Sequence, residues 1–144
     1  MREILFRGKT ENGEWVEGYL IKGVRTYIAT KEAIENMVVS ISGRAGLELI
    51  EVIPDTVGQF TGLTDKNGKN IFEGDIIKVV SPNGDEENPF VTEFFAIVYE
   101  EKMRRFVMRS DLWNDDFDYS QDDIKEYKVE VIGNIHDNPE FLES

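Results

Sequence analysis

His136 is the only histidine of the chain, and no cysteine is present. Nucleophilic thiolates, disulfides and cysteine-ligated zinc or iron–sulfur centres are therefore excluded together. His136 stands in Asn134-Ile135-His136-Asp137-Asn138, a turn composition, and a lone histidine is more often a surface or turn residue than a catalyst. A Ser-His-Asp triad needs a presented serine, and no Gly-x-Ser-x-Gly elbow occurs. The segment Gly62 to Asn70 superficially resembles a phosphate-binding loop. It fails on spacing, with five residues between Gly62 and Gly68 where four are required, and Asn70 stands where a magnesium-binding hydroxyl is needed. Asp116, Asp118, Ser120 and Asp122 have the spacing of the first four ligands of an EF-hand loop. Gln121 replaces the turn glycine and Tyr127 the closing glutamate, so a specific calcium loop is rejected. We assign no catalytic, cofactor-binding or metal-binding residue; loose affinity of clustered carboxylates for divalent ions is all that survives.

The elements that must carry these residues read as strands and tight turns. Asn67-Gly68 is a hairpin signal, read as a type I′ turn in which both residues take φ > 0. Glu73-Gly74-Asp75 is a second break, after which Asp75-Ile76-Ile77-Lys78-Val79-Val80 launches a β-branched strand. Earlier, Arg2 to Lys9 and Trp15 to Ile21 form a hairpin around Glu11-Asn12-Gly13-Glu14, and Val24 to Ala29 reads as a third strand. Thr30 caps a short helix over 30–37, Val39 and Ile41 alternate as a strand, Gly43 to Gly46 turn, and Leu47 to Ile53 follow with a bulge at Leu49-Ile50. In the second half, Val91 to Glu100 and Arg105 to Arg109 pair around Glu101 to Arg104, and Tyr127, Val129 and Val131 line one buried face. Short helices are expected over 120–126 and 138–143, the last with Asn138 as cap and Pro139 at its first position.

Length and charge bound the function. A domain of 144 residues buries roughly 68–70% of its unfolded surface, enough for a core. Lys plus Arg number 16 against 29 Asp plus Glu, a formal −13. Direct binding to duplex DNA would start from repulsion; a strong negative charge serves solubility and, more specifically, encounter with a basic partner. No run approaches the roughly 20 apolar residues of a membrane span, and the N-terminus has no signal-peptide pattern. A cytoplasmic protein is expected, without a membrane partner; a homo-oligomer is compatible with the composition.

Four groups of residues carry a family resemblance. They are Arg2-Glu3-Ile4 with Phe6-Arg7; Pro54-Asp55-Thr56-Val57-Gly58-Gln59-Phe60-Thr61-Gly62-Leu63; Asp65-Lys66-Asn67-Gly68 with Ile71 and Glu73-Gly74-Asp75-Ile76; and Val131-Ile132-Gly133-Asn134-Ile135 with Asn138-Pro139-Glu140. In this order the chain resembles the YopX-like family of phage and prophage proteins, from end to end except over 22–50 and 81–125. The resemblance implies a phage-derived protein in the cytoplasm of the bacterial host and a small-barrel β fold. It implies no known reaction and transfers no catalytic residue. Gly62, Asp65, Asn67, Gly68, Glu73, Gly74, Asp75, Gly133, Asn134, Asn138 and Pro139 are read as structural, the glycines through φ > 0 or close backbone approach.

The expected fold is mainly β, of small SH3-like barrel-type units with short helices. The chain reads as one domain over 1–144, or as two β lobes, 1–55 and 56–144. An internal echo points to duplication: Phe6 to Glu11, Asn12-Gly13 and Glu17-Gly18 align with Phe60 to Asp65, Asn67-Gly68 and Glu73-Gly74 at offsets of 54, 55 and 56. Chance recurrence of turn residues competes with that reading. Under it, the second unit holds insertions at Ser81 to Pro89 and at Ser110 to Ile124. The latter has six aspartates and no basic residue. Trp113, Asp115, Asp116, Phe117, Asp118 and Tyr119 are therefore the candidate contacts for a partner protein with a basic surface. Three classes of function follow: a non-catalytic protein-binding module, which we favour; a small-barrel nucleic-acid-associated protein, whose aromatics are present but whose basic groove is not; and, less supported, a carboxylate-dependent hydrolase.

Overall fold

The computed structural model describes residues 3–34, 48–110 and 114–142. Among them the chain is mainly β, with strands β1 Phe6–Lys9, β2 Trp15–Lys22, β3 Thr26–Thr30, β4 Ile50–Glu51, β5 Gly58–Thr64, β6 Asn70–Phe72, β7 Asp75–Ser81, β8 Val91–Glu100, β9 Arg105–Arg109, β10 Asn114–Asp116 and β11 Glu130–Asn134. Helix is confined to a turn starting at residue 31, 3-10 turns at Pro54–Thr56 and Pro139–Leu142, and one α-helix, Gln121–Glu126. The chain divides into two compact units, Met1–Phe60 and Thr61–Ser144, a boundary inside β5 rather than at residues 55 and 56. No strand pairing among the described residues closes a barrel.

In the first unit, β4, β3, β2, β1 and the start of β5 lie side by side, all antiparallel. The β1–β2 hairpin turns at Thr10 to Glu14, where the Gly13 N–H donates to the Thr10 carbonyl and the Thr10 N–H to the Glu14 carbonyl. Leu5, Ile28, Ala29, Val52 and Phe60 are its buried apolar residues. Gly8 is required there by space, since a Cβ would lie 2.7 Å from the Val52 side chain. The Thr30 hydroxyl accepts the Ala33 N–H at 3.1 Å, the helix cap read from the sequence. The strand expected over 47–53 is short, β4 alone. The helix beyond Ile34, the Val39–Ile41 strand and the Gly43–Gly46 turn lie outside the described residues.

In the second unit, β5 continues into β6, and a five-stranded antiparallel sheet runs in the order β10-β9-β8-β7-β11. One face holds the core of Ile71, Ile77, Val79, Phe95, Ile97, Met108, Phe117, Ile124, Val129 and Val131. Period-two alternation produces that face on β7, β8 and β11; a register shift between Val131 and Gly133 is the bulge that lets β11 leave it. The helix covers the core with Ile124. Ser120 caps it in a reciprocal box with Asp123, and the Gln121 amide docks it by donating to the Thr64 carbonyl at 2.7 Å and accepting the Thr64 N–H at 3.1 Å.

Candidate functional site

The acidic segment is not the irregular insertion expected from its sequence. Asn114–Asp116 forms β10, the outermost strand of the sheet, registered on β9 with Asp115 opposite Met108 and Asp116 opposite Val107. The Phe117 N–H then donates to the Phe106 carbonyl at 3.1 Å. Strand pairing overrode a composition rich in aspartate because one apolar residue, Phe117, anchors the segment in the core. That corrects the reading of Phe117 as a partner contact: its ring is buried. Tyr119 also turns inward, half-buried between Phe117 and Tyr127 at ring-centre distances of 5.7 and 5.5 Å. Burial, then the neighbouring Tyr127 and carboxylates of Asp115, Asp123 and Glu93, raise its hydroxyl pKa above the ordinary tyrosine value. Asp115 and Asp118 are exposed and Asp116 half-exposed; Trp113 lies outside the described residues.

Beside β10 is an open groove of about 340 Å³ lined by Glu100, Arg105, Val107, Arg109, Asp115 and Asp116. The Arg105 Nε donates to Asp116 Oδ1 at 2.7 Å, and the Asp115 carboxylate accepts the Asp116 N–H at 2.8 Å. Arg105 of the groove is thus paired with a carboxylate. Of the other cations that a basic face would need, Lys22 and Arg25 belong to the first unit, Arg25 pairing with Glu51 at 3.3 Å. Lys102 and Arg104 occupy the β8–β9 turn, and Arg44 is outside the described residues. Asp116, Asp118, Ser120 and Asp122 do not converge, because the first ends a strand and the third caps a helix. Among the described residues no three or more His, Asp or Glu side chains are placed to hold a metal ion. No described helix is long and apolar enough to cross a membrane.

The opposite edge of the sheet is built from the signature residues. Asp65 is buried, and its Oδ1 accepts the N–H groups of Asn67 and Lys69 at 2.8 and 2.9 Å. Its Oδ2 accepts the Val131 N–H of β11 at 3.0 Å, while the Lys66 N–H donates to the Val129 carbonyl at 2.9 Å. The turn therefore closes the outer edge of β11. Gly62, Gly68 and Gly74 adopt φ of 93°, 82° and 91°. The turn is not type I′, however: among the described residues only Arg104 and Lys128 are non-glycines with positive φ. The Gly68 N–H donates to the Asp65 carbonyl and the Asp65 N–H to the Lys69 carbonyl, which is a type I turn followed by a glycine bulge. The Asp65 carboxylate selects it by gathering the N–H groups of the turn. Asp75 is buried and accepts the Phe72 N–H across the Glu73-Gly74 bend at 2.7 Å.

At the C-terminal end of β11, the Asn134 Oδ1 accepts the N–H groups of His136 and Asp137 at 3.0 and 2.9 Å. Asn138 does not cap a helix with its side chain, as its sequence position suggested. Its Oδ1 accepts the Asn134 N–H at 3.3 Å, and Pro139 opens only a 3-10 turn. A Cβ on Gly133 would stand 2.5 Å from that Oδ1, so this glycine serves close approach. The Asn12-Gly13 and Asn67-Gly68 turns share their hydrogen-bond pattern. Gly18 and Gly74 differ: Gly18 sits within β2, and Gly74 forms a bend.

Sequence reasoning missed one surface. On the sheet face away from the core, Lys78 is registered with Phe94 on β8 and Glu130 on β11. The signal is the alternation of Phe90, Thr92 and Phe94 with Val91 and Glu93, and the first three of these residues are exposed. Alternation along one strand separates two faces without telling which of them is covered.

Together these features define a mainly β protein of two compact units in which the buried Asp65, Asp75 and Asn134 serve turns and a sheet edge. A family model described as YopX protein matches residues 5–143, and the chain belongs to the YopX family. Its fold is similar to the crystal structure of protein EF1440 from Enterococcus faecalis, with a TM-score of 0.56, 23% identity, and coverage of 99% of this chain and 100% of that one. No curated protein matches the chain significantly.

Proposed function

We propose that the chain is a non-catalytic protein-binding module of phage or prophage origin that works in the cytoplasm of a bacterial host. Strand β10 is its contact with a basic partner. The observation that carries this reading is an acidic strand on the outer edge of the sheet, with Asp115 exposed on it and Asp118 exposed just past its end. Edge carboxylates deter pairing between like copies and complement a basic surface. The contact rests on charge more than on aromatic anchors, because Phe117 and Tyr119 serve the core. Replacing Asp115 and Asp118 with Asn keeps shape and removes charge. In pull-downs from phage-infected cells, followed by kinetics with the captured protein, this variant is expected to fold normally and associate more slowly, with weaker salt dependence. An unchanged association rate would overturn the assignment of β10.

A further inference from the structure

Three phenylalanines of the second unit stand outside its core. Phe94 and Phe141 stack with ring centres 6.2 Å apart and planes at 25°, and Phe90 is 61% exposed. Phe90 precedes Phe94 by four residues, about 13 Å along an extended chain. Exposed aromatic rings on a sheet face leave apolar area in water, and such patches mark binding surfaces.

Lysines stand near two of these rings, Lys78 registered with Phe94 and Lys128 over Phe90. The Nζ atoms of Lys66 and Lys78 lie 3.4 and 3.3 Å from the same Glu130 oxygen. Two ammonium groups around one carboxylate leave a positive charge beside Phe94. The Lys128 Nζ lies 5.8 Å from the centre of the Phe90 ring. Lys128 has φ 49° at the position just past the helix, where Lys128 N–H and Val129 N–H close onto the carbonyls of Lys125 and Ile124. Glycine is favoured at that left-handed position, so lysine there carries a conformational cost. In the sequence Glu140 adjoins Phe141, and Asp85 to Glu87 precede Phe90.

We propose that this face binds single-stranded nucleic acid. Flat rings and lysines in alternation match a polymer that alternates bases and phosphates. Bases stack on Phe90 and on the Phe94–Phe141 pair, while Lys128 and the Lys66–Lys78 pair hold phosphates. Duplex is rejected, because its bases are already stacked and its denser charge meets the net negative charge of this unit. The patch spans a few nucleotides.

The test is fluorescence anisotropy of the full chain with a fluorescein-labelled oligo(dT) of about 12 nucleotides, and with the same length as duplex, at about 50 mM salt. Saturable binding of the single strand and not of the duplex is expected. Phe94→Ala should weaken it by about fivefold to about a hundredfold; Phe90→Ala, at an exposed position, gives the same reading should Phe94→Ala fail to fold. Raising salt to about 200 mM should weaken binding about sevenfold for two phosphate contacts. Lys128→Gly should raise the melting temperature while weakening binding, a split that a purely structural lysine would not give. No binding of the single strand, equal binding of the duplex, or unchanged affinity in Phe90→Ala would each overturn the proposal. So would tighter binding of an acidic phenylalanine-containing peptide than of the oligonucleotide.

Discussion

At Gly68, backbone conformation and side-chain space separate cleanly. Its φ is 82°, and a Cβ would meet nothing within 4 Å. A substitution there costs backbone strain alone. Gly68→Val is expected to lower stability by about 1–3 kcal/mol, the range for a non-glycine residue held in the left-handed region. Gly68→Asn should cost much less, because asparagine tolerates that region. Urea denaturation of the two variants checks this. Equal losses would show that the turn reports something other than φ. Gly133 offers the contrast, since its constraint is the Asn138 side chain rather than its dihedral angle. Sequence marks both as glycines in a turn-rich setting and cannot separate the two causes, because one is local and the other depends on a residue folding back.

Between elements, Asp65 has the widest reach of the signature residues. One carboxylate organises its own turn and accepts the main-chain N–H of Val131, 66 residues away. Asp65→Ala leaves three N–H groups without their acceptor, one of them buried. A loss of roughly 3 kcal/mol is expected in urea denaturation, as a lost charged acceptor and an unsatisfied buried donor each cost about 1–3 kcal/mol. Amide exchange should accelerate at Val131 as well as at Lys69; acceleration at Lys69 alone would confine Asp65 to its own turn. The strands on either side were legible because alternation and β-branching are written locally. The helix start at Thr30 was legible from its cap, and a helix was expected over 120–126, although Ser120 was not read as its cap. The turn type was not, since a carboxylate two residues upstream outweighed the intrinsic preference of Asn67-Gly68. Strand β10 was not legible either, because its pairing rests on one buried phenylalanine set among aspartates. Of the candidate contacts, the exposed aspartates were legible by charge, whereas the orientation of Phe117 depended on a core assembled from distant strands.

Across the whole molecule, charge is divided unequally. Met1–Phe60 has 7 Lys and Arg against 9 Asp and Glu, a net −2, and Thr61–Ser144 has 9 against 20, a net −11. The excess of acid therefore lies on the unit with the five-stranded sheet. Within that sheet Asp115 and Asp116 stand on the β10 edge, while Lys66, Lys78 and Lys128 stand toward β11. A duplex needs several phosphates neutralised at once, and each released counterion contributes to affinity. Three lysines, two of them sharing Glu130, cannot supply that against a net −11. No saturable binding of duplex DNA is expected at roughly 150 mM salt, near which the screening length is about 8 Å. Fluorescence titration across a salt series checks it. Submicromolar duplex affinity falling steeply with salt would require a basic track that the charge distribution does not provide. Lowering salt should not rescue the interaction, because weaker screening strengthens the repulsion from the β10 edge together with the attraction to the lysines. Single-strand binding escapes this limit in the proposal above, since stacking on phenylalanine supplies part of the affinity and only one or two phosphates need reach the lysines.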